Sequence, residues 1–399
     1  MRSFKLIFTT CLVLNLVACA SVDRTHQAAP AESYRDYEPV HIPIQVRSFA
    51  VNERGDVSFK ASDYSDYLAN VQKGDPLHIL ALSGGGQNGA FGAGILKGWT
   101  STGQRPQFDI VTGISTGALI APFAFLGPEY DDRLERLFTQ TSTRDIAKFR
   151  IVSAFLFGGQ LGNTAPLRES IERELTDDML REIGRELDNG RELLIGTTNL
   201  DAGRAVIWSI GEIARIGTPE AFDLIRKIIL ASASIPVVFE PVFFEVTDGK
   251  EVRKELHVDG ALTQEIFTYP DYLPVRQFLE ESGLSRFDNK IWLIHNNKLS
   301  PTYEAQSTNL VSVLKRTVKV LVQSQSFGNI VQILATAKRD GFSVNGLTIP
   351  DDFDEEPTEV FDPAYMKKLH SVGEQIGSNP ESWYMELEHY FDQIVVPMQ

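Results

Sequence analysis

The sequence predicts an α/β fold, with a mostly parallel central sheet covered by helices on both faces. Short apolar runs typical of buried strands alternate with helical stretches between Leu77 and His295. Such alternation is typical of parallel sheets whose strands are joined by helices. Apolar residues make up 43% of the 399 residues, which is enough for one large core.

The predicted elements follow one another along the chain. Short β-rich pieces between Val40 and Val57 precede the main sheet. The predicted strands are Leu77–Leu82, Phe108–Thr112, Glu192–Gly196, Ala205–Ile210 and Lys290–His295. The predicted helices are Ala90–Thr100, Ser115–Phe125, Asp131–Thr139, Pro166–Leu175 and Phe222–Ala231. Helical patterns dominate from about Thr308, with a polar break at 350–357, so the strand ending at His295 is predicted to be the last of the sheet.

The N-terminus has the pattern of an export signal. Arg2 and Lys5 precede an apolar stretch, Leu6–Val17, that is too short to span a membrane as a mature helix. The stretch ends in Leu-Val-Ala-Cys19, which resembles the bacterial lipobox. The resemblance implies that Cys19 becomes the lipidated first residue, and Ala20 after it favours sorting to the outer membrane. The alternative is an ordinary signal peptide with an incidental cysteine.

Cysteine usage and charge narrow the possible partners. The only cysteines are Cys11, which leaves with the signal, and Cys19, so no disulfide is predicted in the mature chain. Without Arg2 and Lys5, 36 basic and 53 acidic residues remain, a net charge of −17. This acidity argues against nucleic-acid binding and against electrostatic capture by anionic lipid. No Cys/His group has metal-ligand spacing, and no metal is predicted.

Ser115 is the strongest candidate for a catalytic residue. It lies in Gly-Ile-Ser-Thr-Gly between an apolar strand and a helical run, the context in which Gly-x-Ser-x-Gly holds a nucleophile. Gly113 and Gly117 permit the sharp turn of a nucleophile elbow. Backbone N–H groups at the helix N-terminus can meet developing negative charge. A glycine-rich structural turn is the alternative.

A second glycine-rich segment follows the first core strand. The segment opens a helix, and Gly84, Gly85, Gly86 and Gly89 can expose consecutive backbone N–H groups to an anion. The spacing also fits the dinucleotide fingerprint. That fingerprint requires an acid at the end of the next strand, whereas Asp109 lies at the start of it. An oxyanion site is therefore favoured.

A third segment, His257-Val-Asp259-Gly-Ala, places an aspartate at a strand end, where it can also be a simple turn former. Together the three motifs, in this order, resemble the patatin-like phospholipase family from about His78 to Thr263. Two further segments, beginning at Thr198 and Ala231, look like other parts of that family. The resemblance implies a patatin-like three-layer sandwich and a catalytic dyad without a cofactor.

The resemblance also implies the role of each residue. Ser115 would be the nucleophile, Asp259 the base, and Gly84, Gly85, Gly86 and Gln87 the oxyanion hole. The sequence departs from the family at Asn88, where Arg or Lys is usual, which puts the headgroup preference in doubt.

Two histidines remain to be placed. His295 ends an apolar strand and follows Asp259 in the serine–acid–histidine order of α/β-hydrolases, although it can equally be a packed strand-end residue. His257 shares a strand face with Asp259 and can either tune the aspartate or simply pack. Ile146–Leu161 has large apolar side chains beside Gly158 and Gly159, which fits a hinged flap over an acyl pocket, a lip that enters lipid, or a core helix that ends at a glycine.

The sequence thus predicts a lipid-anchored hydrolase of the bacterial envelope that cleaves esters of phospholipid or lysophospholipid. The alternative is a lipid-binding or scaffolding lipoprotein with little or no turnover. The oligomeric state is left open. The predicted parts are a signal peptide at 1–18, a lipidated tether at 19–45, an N-terminal extension at 46–76, a patatin-like catalytic core at 77–272, and a final core strand with a C-terminal helical region at 273–399.

Overall fold

A computed structural model of the chain describes residues 27–49, 75–140 and 164–384, apart from a few single positions. These positions are Val237, Asp271, Tyr272, Pro274, Pro301, Thr302, Glu304 and Val360. The predicted signal peptide, Cys19 and the segment Ile146–Leu161 lie outside the described residues.

The described residues form one mixed sheet. Its strands are β1 (Glu38–Pro39), β2 (Arg47–Phe49), β3 (His78–Leu82), β4 (Ile110–Ile114), β5 (Glu192–Asn199), β6 (Arg204–Ser209), β7 (Val242–Thr247), β8 (Val252–Asp259), β9 (Lys290–His295) and β10 (Ser343–Thr348). Their order is β1-β7-β8-β5-β4-β3-β9-β10. Strand β6 pairs with the other edge of β5, and β2 pairs with β6.

The sheet has a parallel half and an antiparallel half. Strands β5, β4, β3, β9 and β10 are parallel neighbours, as the alternation of strands and helices predicts. Strands β6, β7 and β8 are antiparallel to their neighbours. Strand β5 joins the two halves, since it is parallel to its neighbour β4 and antiparallel to its neighbours β6 and β8.

Ten α-helices surround the sheet in the described part of the chain. They are α1 (Gly89–Ser101), α2 (Thr116–Leu126), α3 (Asp131–Thr139), α4 (Ala165–Glu174), α5 (Asp177–Asp188), α6 (Ile210–Ile216), α7 (Pro219–Ser232), α8 (Val275–Glu281), α9 (Leu310–Asp340) and α10 (Pro363–Gly377). None of these helices combines the length and the apolar character needed to cross a membrane.

The side chains of β3 show the three layers directly. Leu80 and Leu82 join the larger core cluster with residues of α1, α2, α5, α7 and α10, whereas Ile79 and Ala81 join a second cluster with α8 and α9. Successive side chains of a strand point to opposite faces. Helices therefore cover both faces of the sheet, as the sequence predicts.

The C-terminal part differs from the prediction in one respect. Strand β10 follows α9 and pairs in parallel with β9, so the strand ending at His295 is not the last of the sheet. Its sequence, Ser343-Val-Asn-Gly-Leu-Thr, has Asn345 and Gly346 in its centre, both poor strand formers, which hides it from pattern analysis. The hydrogen bonds that β10 forms with the edge strand β9 stabilise a strand whose own residues have low strand propensity.

Helices α1 and α10 approach each other very closely. A Cβ atom at Gly94 would lie 2.1 Å from the His370 carbonyl oxygen, and one at Gly373 would lie 2.3 Å from that of Phe91. Glycine alone permits this backbone contact. The crossing places the N-terminus of α10 beside the glycine-rich loop that leads into α1.

Candidate active site

Strand β5 brings Ser115 and Asp259 together. On one edge of β5, Gly196 pairs with Ile114 at the end of β4, and the next residue, Thr197, pairs with Asp259 at the end of β8. The parallel strand β4 and the antiparallel strand β8 thus end at the same point from opposite directions. The residue after Ile114 is Ser115, so the serine and the aspartate become neighbours.

Ser115 occupies a sharp elbow between β4 and α2. Its φ of 53° and ψ of −121° lie in a region that residues with a Cβ rarely adopt. The flanking glycines are needed for close backbone contact. A Cβ at Gly113 would lie 2.5 Å from the Gly117 carbonyl oxygen, and one at Gly117 would lie 2.3 Å from that of Leu82. This is the geometry expected of a nucleophile elbow.

The two side chains are in direct contact. The Ser115 Oγ donates a hydrogen bond of 2.6 Å to Oδ2 of Asp259, and both residues are buried, with 4% and 1% exposure. The other carboxylate oxygen, Oδ1, accepts from the Ala261 backbone N–H at 2.9 Å. The Ser115 N–H donates to Oγ of Ser232, which in turn donates to the Gly196 carbonyl. The serine is therefore held through both its side chain and its backbone.

Burial raises the pKa of Asp259 from its usual 3.8 to about 7. The hydrogen bonds from Ser115 and Ala261 oppose the rise in pKa, and the nearby charge of Glu265 adds to it. A carboxylate with a pKa near neutrality is well matched to accept a proton at neutral pH.

The glycine-rich loop lies beside the elbow, but one of its predicted donors is already used. The Gly84 N–H, predicted to contribute to the oxyanion hole, donates to the Glu265 carbonyl at 3.1 Å and so already has a protein acceptor. Within the described residues, the N–H groups of Gly85, Gly86 and Gln87 have no protein acceptor. These three are the remaining candidates for holding an oxyanion.

The loop conformation depends on glycine at one position. Gly85 has a φ of 153°, and a Cβ there would lie 2.5 Å from the Asn296 carbonyl oxygen. Asn296 also holds the loop from its other side, since its Nδ2 donates to the Ser83 carbonyl and its Oδ1 accepts from the Gly92 N–H.

Asn88, where the family usually has Arg or Lys, braces the loop with its amide. Its Oδ1 accepts from the Tyr365 hydroxyl at 2.9 Å, and its Nδ2 donates to Asn297 at 3.3 Å. The side chain of Gln87 accepts from the Asp362 N–H at the start of α10. Helix α10 therefore fixes this end of the loop without a cationic side chain.

His295 lies in a different cluster from Ser115 and Asp259. Its Nε2 is 3.3 Å from Oε2 of Glu265 and 2.5 Å from Oγ of Ser326, and its Nδ1 is 3.0 Å from the Asn297 carbonyl. None of its hydrogen bonds with the described residues reaches the serine or the aspartate. The arrangement lacks the histidine contact of a Ser-His-Asp triad.

Glu265 is a site residue that the sequence does not single out. It is fully buried six residues after Asp259, and its Oε1 accepts from Nδ2 of Asn297. Its carbonyl holds Gly84, and its backbone N–H donates to Asn329 of α9. The only signal in the sequence is an isolated acid a few residues after the Asp-Gly-Ala motif.

His257 belongs to a buried ionic chain that continues away from Asp259. Its Nδ1 is 2.9 Å from Oγ1 of Thr197, and its Nε2 is 3.2 Å from Glu255. Glu255 forms a 2.5 Å ion pair with Arg47 of β2. Burial would raise the pKa of Glu255, but the Arg47 charge and the hydrogen bonds from His257 and Arg47 lower it to about 2. The segment from 27 to 49 is thereby locked onto the strand that carries Asp259.

The described part of the chain contains no group of three or more His, Cys, Asp or Glu side chains suited to a metal ion. Its fold and site define an α/β protein with a serine on a strained elbow, bonded to a buried aspartate and next to a glycine-rich loop. This combination is typical of serine acyl hydrolases.

The comparison with known families agrees with that class. Residues 80–270 match the model of the patatin-like phospholipase family, which has the description "Patatin-like phospholipase". Residues 80–270 therefore form a patatin-like phospholipase domain, which implies a lipid acyl hydrolase in general terms.

Two other comparisons add little detail. A search among curated protein sequences found no match. One solved structure that matches is the crystal structure of VipD from Legionella pneumophila, with 12% identity and a TM-score of 0.37, over 76% of this chain and 67% of that chain.

Proposed function

We propose that the protein is a serine lipid acyl hydrolase of the phospholipase A or lysophospholipase type, with Ser115 as nucleophile and Asp259 as base. One observation carries the proposal, namely the 2.6 Å hydrogen bond between two buried side chains at the elbow. A serine hydroxyl is a weak nucleophile until a base takes its proton. Asp259 is the only group bonded to this hydroxyl in the described residues.

The proposed first step is acylation. Ser115 Oγ attacks the ester carbonyl carbon as its proton passes to Oδ2 of Asp259. The carbonyl oxygen becomes an oxyanion, which the N–H groups of Gly85, Gly86 and Gln87 can stabilise. The ester C–O bond then breaks, and the departing alcohol takes the proton from Asp259. The products are an acyl-serine and a free alcohol, and the aspartate is again a carboxylate.

Deacylation repeats the same proton transfers with water. Asp259 accepts a proton from a water molecule as the water oxygen attacks the carbonyl carbon of the acyl-serine. When the Ser115 C–O bond breaks, the proton returns to Oγ and the fatty acid is released. A pKa near 7 lets Asp259 both accept and return a proton at neutral pH.

We further propose that Cys19 anchors the protein to the bacterial cell envelope, in the outer membrane. The support is the lipobox-like sequence Leu-Val-Ala-Cys19 after the apolar signal and Ala20 after it. A single acyl chain binds membranes only marginally, so stable attachment requires several chains or a second contact.

Labelling with a fluorophosphonate tests the proposed chemistry without knowledge of the substrate. We expect the wild-type chain to be labelled at Ser115 and the Ser115→Ala variant to be unlabelled, with an unchanged melting temperature. An unreactive wild-type serine would instead favour a lipid-binding lipoprotein. Lipid mass spectrometry of a mixed phospholipid extract, incubated with wild type or Ser115→Ala, would then identify the bond that is cleaved.

A further inference from the structure

Helix α9 carries an unusual set of exposed apolar side chains. Nine large hydrophobic residues are exposed in the described part of the chain. Four of them belong to α9, and a fifth, Tyr303, precedes it. The four are Val313, Val320, Leu321 and Val331. Isolated surface hydrophobics are normal, but a concentration on one element marks an interaction site.

The first twelve residues of α9, 310–321, have a different character from the rest of the helix. Later residues such as Ile330, Ile333 and Ala337 are buried against the sheet. Within residues 310–321, every side chain whose burial the structure describes is exposed or half-exposed. We call residues 310–321 the arm; at the helical rise of 1.5 Å per residue it is about 18 Å long.

The arm ends beside the proposed catalytic residues. Val322, the residue that follows it, packs against the cluster formed by Ile114, Ala261 and Phe267. Ile114 directly precedes Ser115, and the Ala261 N–H holds Asp259. Two turns of α9 further on, Asn329 accepts from the backbone of Glu265. A surface that receives the arm would therefore also lie close to the mouth of the site.

The arm is basic in an otherwise acidic protein. It contains Lys315, Arg316 and Lys319, and no acidic residue occurs from 305 to 339, although the whole chain has a net charge of −15. The helical period places Val313, Val320 and Leu321 within an arc of about 100°, with Arg316 and Lys319 in the adjacent sector. A helix with an apolar sector and a cationic sector is typical of segments that lie in a membrane interface.

We propose that the arm docks on an anionic phospholipid surface, with Val313, Val320 and Leu321 inserted among the lipids, and so presents the Ser115–Asp259 site to the bilayer. The choice of lipid rests on the acyl hydrolase function proposed above, because a long-chain substrate must leave a membrane to reach the site. The overall acidity of the chain predicts no electrostatic capture, but the local charge of the arm has the opposite sign.

The position of the arm can be measured with a single fluorescent cysteine. The background is the full chain with Cys11→Ser, Cys19→Ser and Ser115→Ala, which removes both native thiols, the lipid anchor and hydrolysis. An environment-sensitive dye is placed through Leu321→Cys or, as a control, through Asp178→Cys on the exposed surface of α5. Vesicles of phosphatidylglycerol with brominated acyl chains report which dye enters the bilayer.

We expect the dye at 321 to shift to the blue and to be quenched by the brominated lipid, and the dye at 178 to be unaffected. Vesicles of phosphatidylcholine, or salt at about 0.5 M, should weaken the quenching, because screening removes the electrostatic part of the attraction. The paired change Val313→Ser and Val320→Ser should reduce quenching at 321 by about tenfold or more. The matched change Val331→Ser, on the same helix beyond the arm, should leave it unchanged at an equal melting temperature.

Several results would overturn the inference. Equal responses of the dyes at 321 and 178 would mean that the arm does not enter the lipid. A blue-shifted dye at 321 without vesicles would mean that protein covers the arm, a second copy if the shift depends on concentration and the same chain if it does not. Because the background lacks Ser115, none of these results depends on whether the protein is a hydrolase; fluorophosphonate labelling tests that separately.

Discussion

Thr197 and Asp259 lie opposite each other on the antiparallel pair β5–β8, one residue beyond the point where Gly196 lies opposite Ile114 on the parallel pair β5–β4. A single strand therefore sets the distance between the serine elbow and the aspartate. A shift of one residue in the β5–β8 pairing would turn the aspartate to the other face of the sheet, and the same shift in the β5–β4 pairing would turn the end of the strand that leads into Ser115. The contact between Ser115 and Asp259 thus depends on register as much as on the two side chains.

The close contact of β5 with the turn after Asp259 predicts a strict requirement for glycine at 260. A Cβ on Gly260 would lie 2.6 Å from the Gly196 carbonyl oxygen. We expect Gly260→Ala to cost about 1–3 kcal/mol of unfolding free energy, because the strands must move apart, and to reduce ester hydrolysis severely. Denaturant unfolding and a short-chain ester assay measure the two effects.

Gly328→Ala on α9 is the matched control for that change. A Cβ at Gly328 would have no atom within 4 Å. Alanine is the better helix former, so this variant should be more stable by about 0.5–1 kcal/mol. If Gly260→Ala behaved like Gly328→Ala, the tight packing of β5 against the turn would be refuted.

A catalytic role for Asp259 predicts unequal effects of two substitutions. Asp259→Asn keeps the size and hydrogen-bonding capacity of the side chain but cannot accept the serine proton. We expect a loss in kcat of at least ~10³-fold, the scale of removing a catalytic base. His295→Ala should cost less than about tenfold when assayed below its unfolding transition, since no hydrogen bond of His295 with the described residues reaches Ser115 or Asp259. A severe loss in folded His295→Ala would revive a triad mechanism.

The raised pKa of Asp259 also predicts how the effect of Asp259→Asn on stability changes with pH. With a pKa of about 7 in the fold, against 3.8 ordinarily, the folded protein holds the proton more tightly than the unfolded chain. The stability due to this proton is complete below the ordinary pKa and is lost as the pH rises to the folded pKa. Asparagine stays neutral and avoids that loss. Asp259→Asn should therefore raise the melting temperature more at about pH 8 than at about pH 4; a difference independent of pH would contradict the raised pKa.

Glu265 should tune the pH dependence of the reaction. Its charge contributes to the high pKa of Asp259, after the larger effect of burial. We expect Glu265→Gln to move the acid limb of the kcat/KM profile to lower pH, because the neutral amide no longer disfavours the ionised aspartate. Glu245→Gln, on the surface of β7, is the control and should leave the limb in place. An unmoved limb in folded Glu265→Gln would show that Glu265 has no electrostatic effect on the base.

The lipobox-like sequence predicts that replacing Cys19 changes where the protein is found in the cell. Cys19 is the only residue of the proposed motif that can carry lipid. Cys19→Ala should therefore leave the precursor uncleaved or release the protein from the envelope membrane fraction, as measured by fractionation and by labelling with a radioactive fatty acid. Wild-type processing and membrane recovery in Cys19→Ala would refute lipid anchoring at this residue.

The sequence alone predicts the features that depend on local pattern. The alternation of apolar strands and helices indicates the α/β sandwich, and the Gly-x-Ser-x-Gly motif indicates the elbow, since both follow from short-range sterics and periodicity. Residues 80–270 match the family that the three ordered motifs resemble. Strand β10 escapes prediction because its pairing with β9, not its own composition, stabilises it.

Only the tertiary structure decides which distant groups meet. Gly84 lies in a glycine-rich loop typical of oxyanion donors, yet its N–H donates to the carbonyl of Glu265, which is far away in the sequence. His295 has the chain order of a triad histidine, yet the parallel pairing of β9 with β3 places it with Glu265 and Ser326. Hydrogen-bond partners between strands are set by register and sheet order, and neither is encoded in any local stretch of residues.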